Sequence, residues 1–107
     1  MAIYLIKARP KLTLLDDLKK KLQKGEIYRL QPFGNELELS LKNAKLSDDG
    51  YAYWVEEDYC SPPLKMEREA VLDEYFDDIE IVEQINGIPQ IGWEKIKDIS
   101  SLWKEKL

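Results

Sequence analysis

The stretch YAYWVEEDYCSPPLKMER, at residues 51–68, sets the architecture of this chain. Its first nine residues alternate largely between two sets of side chains and are rich in aromatic residues, which is typical of a β-strand. The pair Pro62 and Pro63 then suits the entry of a helix, because the first amide groups of a helix have no intrahelical partner. The stretch therefore predicts a strand over residues 51–59 and a helix over residues 64–77.

The alternation divides the side chains of this strand between the two faces of a sheet. One face receives Tyr51, Tyr53, Val55 and Tyr59. The other face receives Trp54, Glu56, Asp58 and Cys60. We expect the second set to lie on an open face of the sheet, beside Tyr4 and Ile6 of the first strand.

The rest of the chain predicts further strands over residues 2–8, 27–30 and 79–85, each from its run of β-forming residues. A helix over residues 14–24 follows from an apolar stripe that ends in a lysine-rich turn before Gly25. Thr13 and Asp16 at its start have capping-box spacing.

Two segments fit more than one structure. Residues 35–46 fit a helix or a hairpin, and their good helix formers favour the helix. In the C-terminal tail, residues 93–96 fit a short strand and residues 94–106 fit a helix, and neither periodicity prevails.

Strand, helix and strand, repeated once, is the split βαβ order of a ferredoxin-like α/β sandwich. The sequence thus predicts an α+β fold in one compact domain over residues 1–107, with an insertion at 35–46 and a C-terminal extension. Such a sandwich leaves one sheet face open. An exposed apolar face usually meets a partner, and the chain's own tail or a second copy of the chain are the simplest candidates.

The composition excludes several classes of protein. The chain has one Cys and no His, so it offers no disulfide framework, no His-based catalysis and no Cys-rich zinc site. It shows no leader-like or membrane-length apolar run, so we expect a cytoplasmic protein that does not enter membranes. Abundant Lys, Glu and Asp with few Asn and Gln resemble the bias of thermophile proteins.

Charge argues against nucleic acid as the partner. The chain is acidic, with a net charge of −5, and residues 32–83 hold fifteen acidic against four basic residues. Binding to a phosphate backbone relies on clustered Lys and Arg. The basic residues of the predicted helix at 14–24 instead suit a solvated surface.

The end of the strand at 51–59 holds the candidate site residues. The Cβ atoms of Glu56 and Asp58 should lie about 7 Å apart, which suits an acid/base pair or a shared divalent cation. Cys60 precedes a helix start that favours a thiolate, but the adjacent acids oppose this. Two carboxylates define no coordination set, so we assign no metal or cofactor and expect a buried, unreactive thiol. Glu67 and Arg68 could orient a carboxylate or form a surface ion pair, and we expect the ion pair.

Two functions follow from these observations. The first is a non-enzymatic interaction module that forms a homodimer, with an interface built from aromatic and apolar side chains: Tyr4, Trp54, Trp93, Leu102 and Trp103. The alternative is a small-ligand-binding protein or enzyme whose site contains Glu56, Asp58 and Cys60. The sequence identifies neither a substrate nor a ligand.

Overall fold

The computed structural model of the chain describes residues 2–103. Its strands are β1 (Ala2–Pro10), β2 (Lys45–Leu46), β3 (Ala52–Asp58) and β4 (Phe76–Ile85). Its α-helices are α1 (Leu15–Gln23), α2 (Gly34–Lys42), α3 (Lys65–Glu67), α4 (Asp73–Tyr75) and α5 (Pro89–Lys95). A 3₁₀ turn (Leu12–Leu14) leads into α1, and a π-helical turn (Arg68–Leu72) joins α3 to α4, so residues 65–75 form one continuous helical stretch.

The four strands form one antiparallel sheet in the order β2-β3-β1-β4. In the centre, Ile6 of β1 lies opposite Trp54 of β3. The pairing of β1 with β4 shifts register twice, and Asp78, near the second shift, has a positive φ of 53°. These irregularities increase the local twist of β4. The predicted α+β class, with a sheet of four strands packed by helices, is confirmed, while the ferredoxin-like subclass stays a prediction.

The main core lies between the sheet and the helices α1, α2 and 65–75. Buried side chains from the sheet meet buried side chains from all three helical elements: Ile6, Ala8, Trp54, Leu18, Leu22, Leu37, Leu41, Val71 and Leu72. The face that carries Trp54 is therefore covered, and our expectation that it is open is wrong. Within β3, alternation gave the correct division of side chains, but Tyr53 and Val55, not Trp54, take the side facing away from these helices. The predicted place of Tyr59 beside them is wrong, because Tyr59 lies beyond β3 and lines a cavity with Cys60.

The opposite face of the sheet is partly covered by the chain's own tail. Helix α5 packs on β1, β3 and β4. It encloses a second, smaller cluster of buried residues: Ile3, Leu5, Val55, Ile85 and Ile96. A Cβ atom at Gly92 would lie 2.8 Å from Val55 Cγ2, so glycine lets α5 approach the sheet closely.

Several local predictions are wrong. Residues 27–30 form turns instead of a strand, and Ile27 is buried. The start of α2 explains this, because the Gly34 N–H donates to the Leu30 carbonyl at 2.7 Å and a Cβ on Gly34 would clash with the Ile27 and Tyr28 carbonyls. Thr13 lies within the 3₁₀ turn and does not cap α1.

The two ambiguous segments are resolved as far as the structure describes them. Residues 34–42 form a helix and only residues 45–46 form a strand, so the favoured helix is confirmed over the hairpin. The tail helix α5 begins at Pro89, earlier than predicted, and ends at Lys95. The predicted strand over 93–96 is wrong, because residues 93–95 belong to α5, and the predicted helix over 94–106 is wrong for residues 96–103, which form turns and an isolated bridge at Ser101. The rest of that prediction, residues 104–106, lies outside the described residues. None of the helices described is long and apolar enough to cross a membrane.

Candidate functional site

Four polar side chains meet where β3 ends, and we call Glu56, Asp58, Cys60 and Glu67 the acidic cluster. Alternation along β3 points Glu56 and Asp58 toward the helices, and α3 contributes Glu67 from across the connecting loop. Glu56 and Glu67 are each 1% exposed, Asp58 is 4% exposed, and Cys60 is half-buried. Three carboxyl groups thus leave water together.

Glu56 occupies the deepest position in the acidic cluster. Its Oε1 accepts a hydrogen bond of 2.9 Å from the indole N–H of Trp54, whose ring packs on Phe76 at a centroid distance of 5.0 Å. Its Oε2 has no hydrogen-bond partner among the described residues. The Glu56 carboxyl interacts with that of Glu67, and two carboxyl groups can bond to each other only when one of them carries a proton.

Burial and this neighbour shift the pKa of Glu56. Burial, and after it the Glu67 carboxyl, raise the pKa of Glu56 well above its ordinary value. Burial likewise raises the pKa of Glu67. In the absence of a bound cation, the pair therefore retains a proton to higher pH than an exposed glutamate would.

Asp58 lies in the same cluster, but its pKa shifts in the opposite direction. Burial by itself would raise the pKa of Asp58, yet hydrogen bonds from the backbone N–H groups of Leu64 and Cys60 outweigh it and lower the pKa. The Leu64 N–H lies 2.5 Å from Oδ2 and the Cys60 N–H lies 3.2 Å from Oδ1. Leu64 has a left-handed backbone with a φ of 65°, a conformation that costs a non-glycine residue about 1–2 kcal/mol. The loop thus holds Asp58 as a fixed carboxylate.

Cys60 completes the cluster as a neutral thiol. Its Sγ lies 3.6 Å from Glu67 Oε1, to which the S–H donates. A hydrogen bond from the backbone of Met66 lowers the pKa of Cys60, but burial together with Asp58 and Glu67 outweighs it and raises the pKa. The adjacent acids therefore outweigh the helix start in their effect on the pKa of Cys60. A raised pKa is in line with the unreactive thiol expected from the sequence.

A cavity of about 260 Å³ adjoins the acidic cluster. It is lined by four acidic residues, two aromatic rings and two sulfur-containing side chains, with one proline: Glu36, Glu57, Asp58, Glu67, Phe33, Tyr59, Cys60, Met66 and Pro32. No Lys or Arg of the described chain lines it. Within residues 2–103, no ion pair involves Glu56, Asp58 or Glu67. Across the described part of the chain, the negative charge of this site is therefore not neutralised by an ion pair.

Sequence reasoning missed Glu67, Phe33 and Glu36. Arg68 does form a surface ion pair, at 3.0 Å from Asp73, but the same expectation for Glu67 is wrong because Glu67 is buried. A signal was present, since Glu67 falls between Leu64 and Val71 on the inward stripe of its helix. Phe33 and Glu36 had no such signal, because the turns at 24–33 bring them to the cavity.

The residues expected at a dimer interface do not form one exposed patch. Trp54 is fully buried, and Leu102 and Trp103 are buried against the core of their own chain. The Trp103 indole N–H donates to the Leu41 carbonyl at 2.7 Å, which fixes Trp103 to α2. Tyr4 and Trp93 are half-buried.

Comparison with known proteins returned no match to this chain, whether against protein families, curated proteins or solved structures.

Proposed function

We propose that this protein binds a small, positively charged ligand in the cavity at the end of β3. The observation that carries this proposal is the acidic cluster itself, three carboxyl groups that are almost fully buried without a basic partner among the described residues. Buried charge is costly unless it is paired. A cation in the cavity would supply the missing partner for Asp58 and Glu67.

The size and lining of the cavity support a small ligand. A volume of about 260 Å³ is below the usual range for drug-sized molecules, so the ligand is an ion or an organic cation of few heavy atoms. The rings of Phe33 and Tyr59 offer aromatic surface to such a cation.

Binding is favoured here over catalysis. The opposed pKa shifts of Glu56 and Asp58 are those of an acid/base pair. However, both oxygens of Asp58 accept backbone N–H groups, which makes it a weak base, and Glu56 is too buried to reach a substrate without displacement of Glu67. We therefore assign the cluster to ligand recognition.

The proposal is tested by titrating chelator-treated protein with single cations at constant ionic strength. The panel contains Mg²⁺, Mn²⁺, Zn²⁺, methylammonium and 1,4-diaminobutane. Calorimetry measures the stoichiometry of binding, and thermal melting measures the stabilisation. At least one cation should bind with a stoichiometry of one and raise the melting temperature, since a ligand that binds only the folded state stabilises it.

Variants locate the binding. Glu67→Gln should weaken it by about tenfold or more, because a direct charge partner is lost. Glu69→Gln is the matched control, since Glu69 is exposed on the same helical stretch and loses the same charge. A panel in which no cation binds, or equal affinity in Glu67→Gln and the native chain, would refute the proposal.

Self-association is the second candidate function. Trp93 is half-buried, and together with the exposed Leu39 it lines a surface depression of about 470 Å³. This depression is a candidate contact for a second copy, although the buried Trp54 and Trp103 no longer support one. If Trp93 and Leu39 form an interface, Leu39→Lys should dissociate a dimer seen by light scattering, and a monomeric native protein would rule the interface out.

Two further expectations remain proposals. We propose that the sheet belongs to the ferredoxin-like class, and its support is that β1 and β3 are central neighbours flanked by β4 and β2. We also propose a cytoplasmic location, and its support is the unpaired Cys60 thiol in a chain without disulfides.

A further inference from the structure

The donor atoms of the acidic cluster are spaced like the unfilled ligand set of a metal ion. One carboxylate oxygen each of Asp58 and Glu67 and the sulfur of Cys60 all lie within 4.8 Å of one another. Around a tetrahedral zinc ion, bonds of about 2.0–2.3 Å place neighbouring ligand atoms about 3.3–3.8 Å apart. Contraction by about 1 Å, through rotation of the Glu67 and Cys60 side chains, would bring the three donors to that spacing.

Glu56 provides an independent indication of a ligand at the same place. It is 1% exposed, and its Oε2 has no hydrogen-bond partner among the described residues. A buried carboxyl oxygen without a partner is costly, and a cation bound at the neighbouring carboxyl groups would lower that cost.

We propose that the positively charged ligand is a divalent transition-metal ion of the zinc type, held by Asp58, Cys60 and Glu67, with Glu56 as a buried acidic neighbour of Glu67. This inference rests on the proposed function and names its ligand class. The sulfur donor decides the class, because Mg²⁺ and Ca²⁺ prefer all-oxygen ligand sets whereas thiolate favours zinc and its neighbours. It departs from the sequence analysis, which saw only Glu56 and Asp58 and assigned no metal.

The loop after β3 is built to orient the carboxylate ligand. The backbone N–H groups of Leu64 and Cys60 donate to the two carboxylate oxygens of Asp58, and each oxygen keeps a second lone pair. Hydrogen bonds of this kind fix metal ligands in many metalloproteins. The Trp54 indole N–H orients the neighbouring Glu56 in the same way.

Metal binding exchanges protons and changes no oxidation state. The metal–sulfur bond forms as the Cys60 thiol loses its proton, which passes to the buffer, while Asp58 and Glu67 bind the ion as carboxylates. The three donors carry three negative charges when fully ionised, and the divalent ion offsets two of them.

Cobalt(II) is the probe for sulfur ligation. The full, chelator-treated chain is titrated with Co²⁺ under a non-thiol reductant, and we expect thiolate-to-cobalt charge-transfer absorption that saturates at one equivalent. Zinc should displace the cobalt and abolish the absorption. Cys60→Ser should lose the absorption and bind about tenfold or more weakly, and Glu56→Gln should weaken binding while keeping the absorption. Glu69→Gln, the exposed control, should match the native chain.

A second measurement uses the native protein and therefore does not depend on the folding of a variant. X-ray absorption at the zinc edge of the loaded native protein should show one sulfur neighbour at about 2.3 Å. If Co²⁺ and Zn²⁺ bind without a sulfur ligand, or if only an amine or Mg²⁺ binds, this inference fails while the proposed function stands. If no cation binds, both fail.

Discussion

At the scale of single residues, the carboxyl groups of the acidic cluster differ in how tightly they hold a proton. Glu56 and Asp58 are two residues apart on one strand face, yet their pKa values shift in opposite directions. The difference arises from their hydrogen-bond partners, since Asp58 meets two backbone N–H groups whereas Glu56 meets one indole and another carboxyl. Donors favour the charged form of an acid, and a neighbouring acid opposes it.

The raised pKa of Glu56 predicts the pH dependence of stability. The folded state binds this proton more tightly than the unfolded state, whose Glu56 titrates near its ordinary value of 4.5. Stability from this group is therefore fully present below pH 4.5 and declines as the pH rises through the folded pKa. Glu56→Gln retains a neutral donor and cannot titrate.

Urea unfolding of metal-free protein from about pH 4 to 8 measures this difference. The free energy of unfolding of the native chain, minus that of Glu56→Gln, should fall as the pH increases. The coupled groups Glu67 and Asp58 are present in both proteins, so subtraction largely removes their direct titration. A difference that does not change with pH would show that Glu56 is not the buried proton carrier.

Asp58→Asn tests the structural role of the fixed carboxylate. Asparagine places an amide NH₂ against one of the two backbone N–H donors, so a buried hydrogen bond is lost and the free energy of unfolding should fall by about 1–3 kcal/mol. Asp49→Asn is the matched control, because Asp49 accepts the N–H of Tyr51 two residues on, at 2.9 Å, but is exposed. Equal losses in the two variants would contradict the assigned role of burial.

Sequence reasoning found part of this site for a physical reason. Alternation places Glu56 and Asp58 on one face, because the period of a strand is two. It does not say which face is buried, and an acidic face with one Trp resembles a solvated one. Glu67 belongs to a different element, and only the left-handed turn at Leu64 brings it back to β3.

At the scale of elements, long periodic segments were predictable and short ones were not. Helix α1 and β3 each follow a sustained pattern, and both lie within a residue or two of their predicted bounds. Residues 27–30 resemble a strand by composition, but they are only four residues between Gly25 and Pro32. Their structure depends on packing against α2, which the local sequence does not encode.

Gly34→Ala tests that packing. A methyl group at position 34 would clash with the Ile27 and Tyr28 carbonyls, so α2 must move away from the turns, and we expect a loss of about 1–3 kcal/mol. Asn35→Ala is the matched control, since Asn35 is the next residue of α2 and is exposed. In that variant the higher helix propensity of alanine should keep stability equal or raise it slightly. Urea melts compare the two, and a neutral Gly34→Ala would show that the turns yield freely.

At the scale of the whole molecule, the sheet is covered on one face by helices and partly on the other by the tail. Helix α5 and Ile96 close the second cluster, and Trp103 is hydrogen-bonded to α2. The sequence could not distinguish this arrangement from a dimer, because the same apolar residues satisfy a sheet within one chain or between two. Whether the protein associates with a second copy of itself therefore depends on what covers this sheet.

Removal of the tail should convert a self-sufficient chain into an associating one. A chain that ends at Gly92 lacks Ile96, Leu102 and Trp103 and exposes the apolar side chains of Ile3 and Val55 to water. Exposed apolar patches promote association. By light scattering we expect the intact protein to be monomeric at micromolar concentrations and the shortened chain to form dimers or aggregates.

Ile96→Asp separates loss of this cover from loss of chain length, because it places a charge in the second cluster while the tail remains. It should associate as the shortened chain does, whereas Asp98→Asn, an exposed change in the same tail, should leave the protein monomeric. Circular dichroism confirms that each variant keeps its sheet.

A dimeric intact protein would instead favour the self-association proposal. A folded, monomeric shortened chain would show that the tail is dispensable, since the apolar surface left on the sheet would then be too small to drive contact between chains.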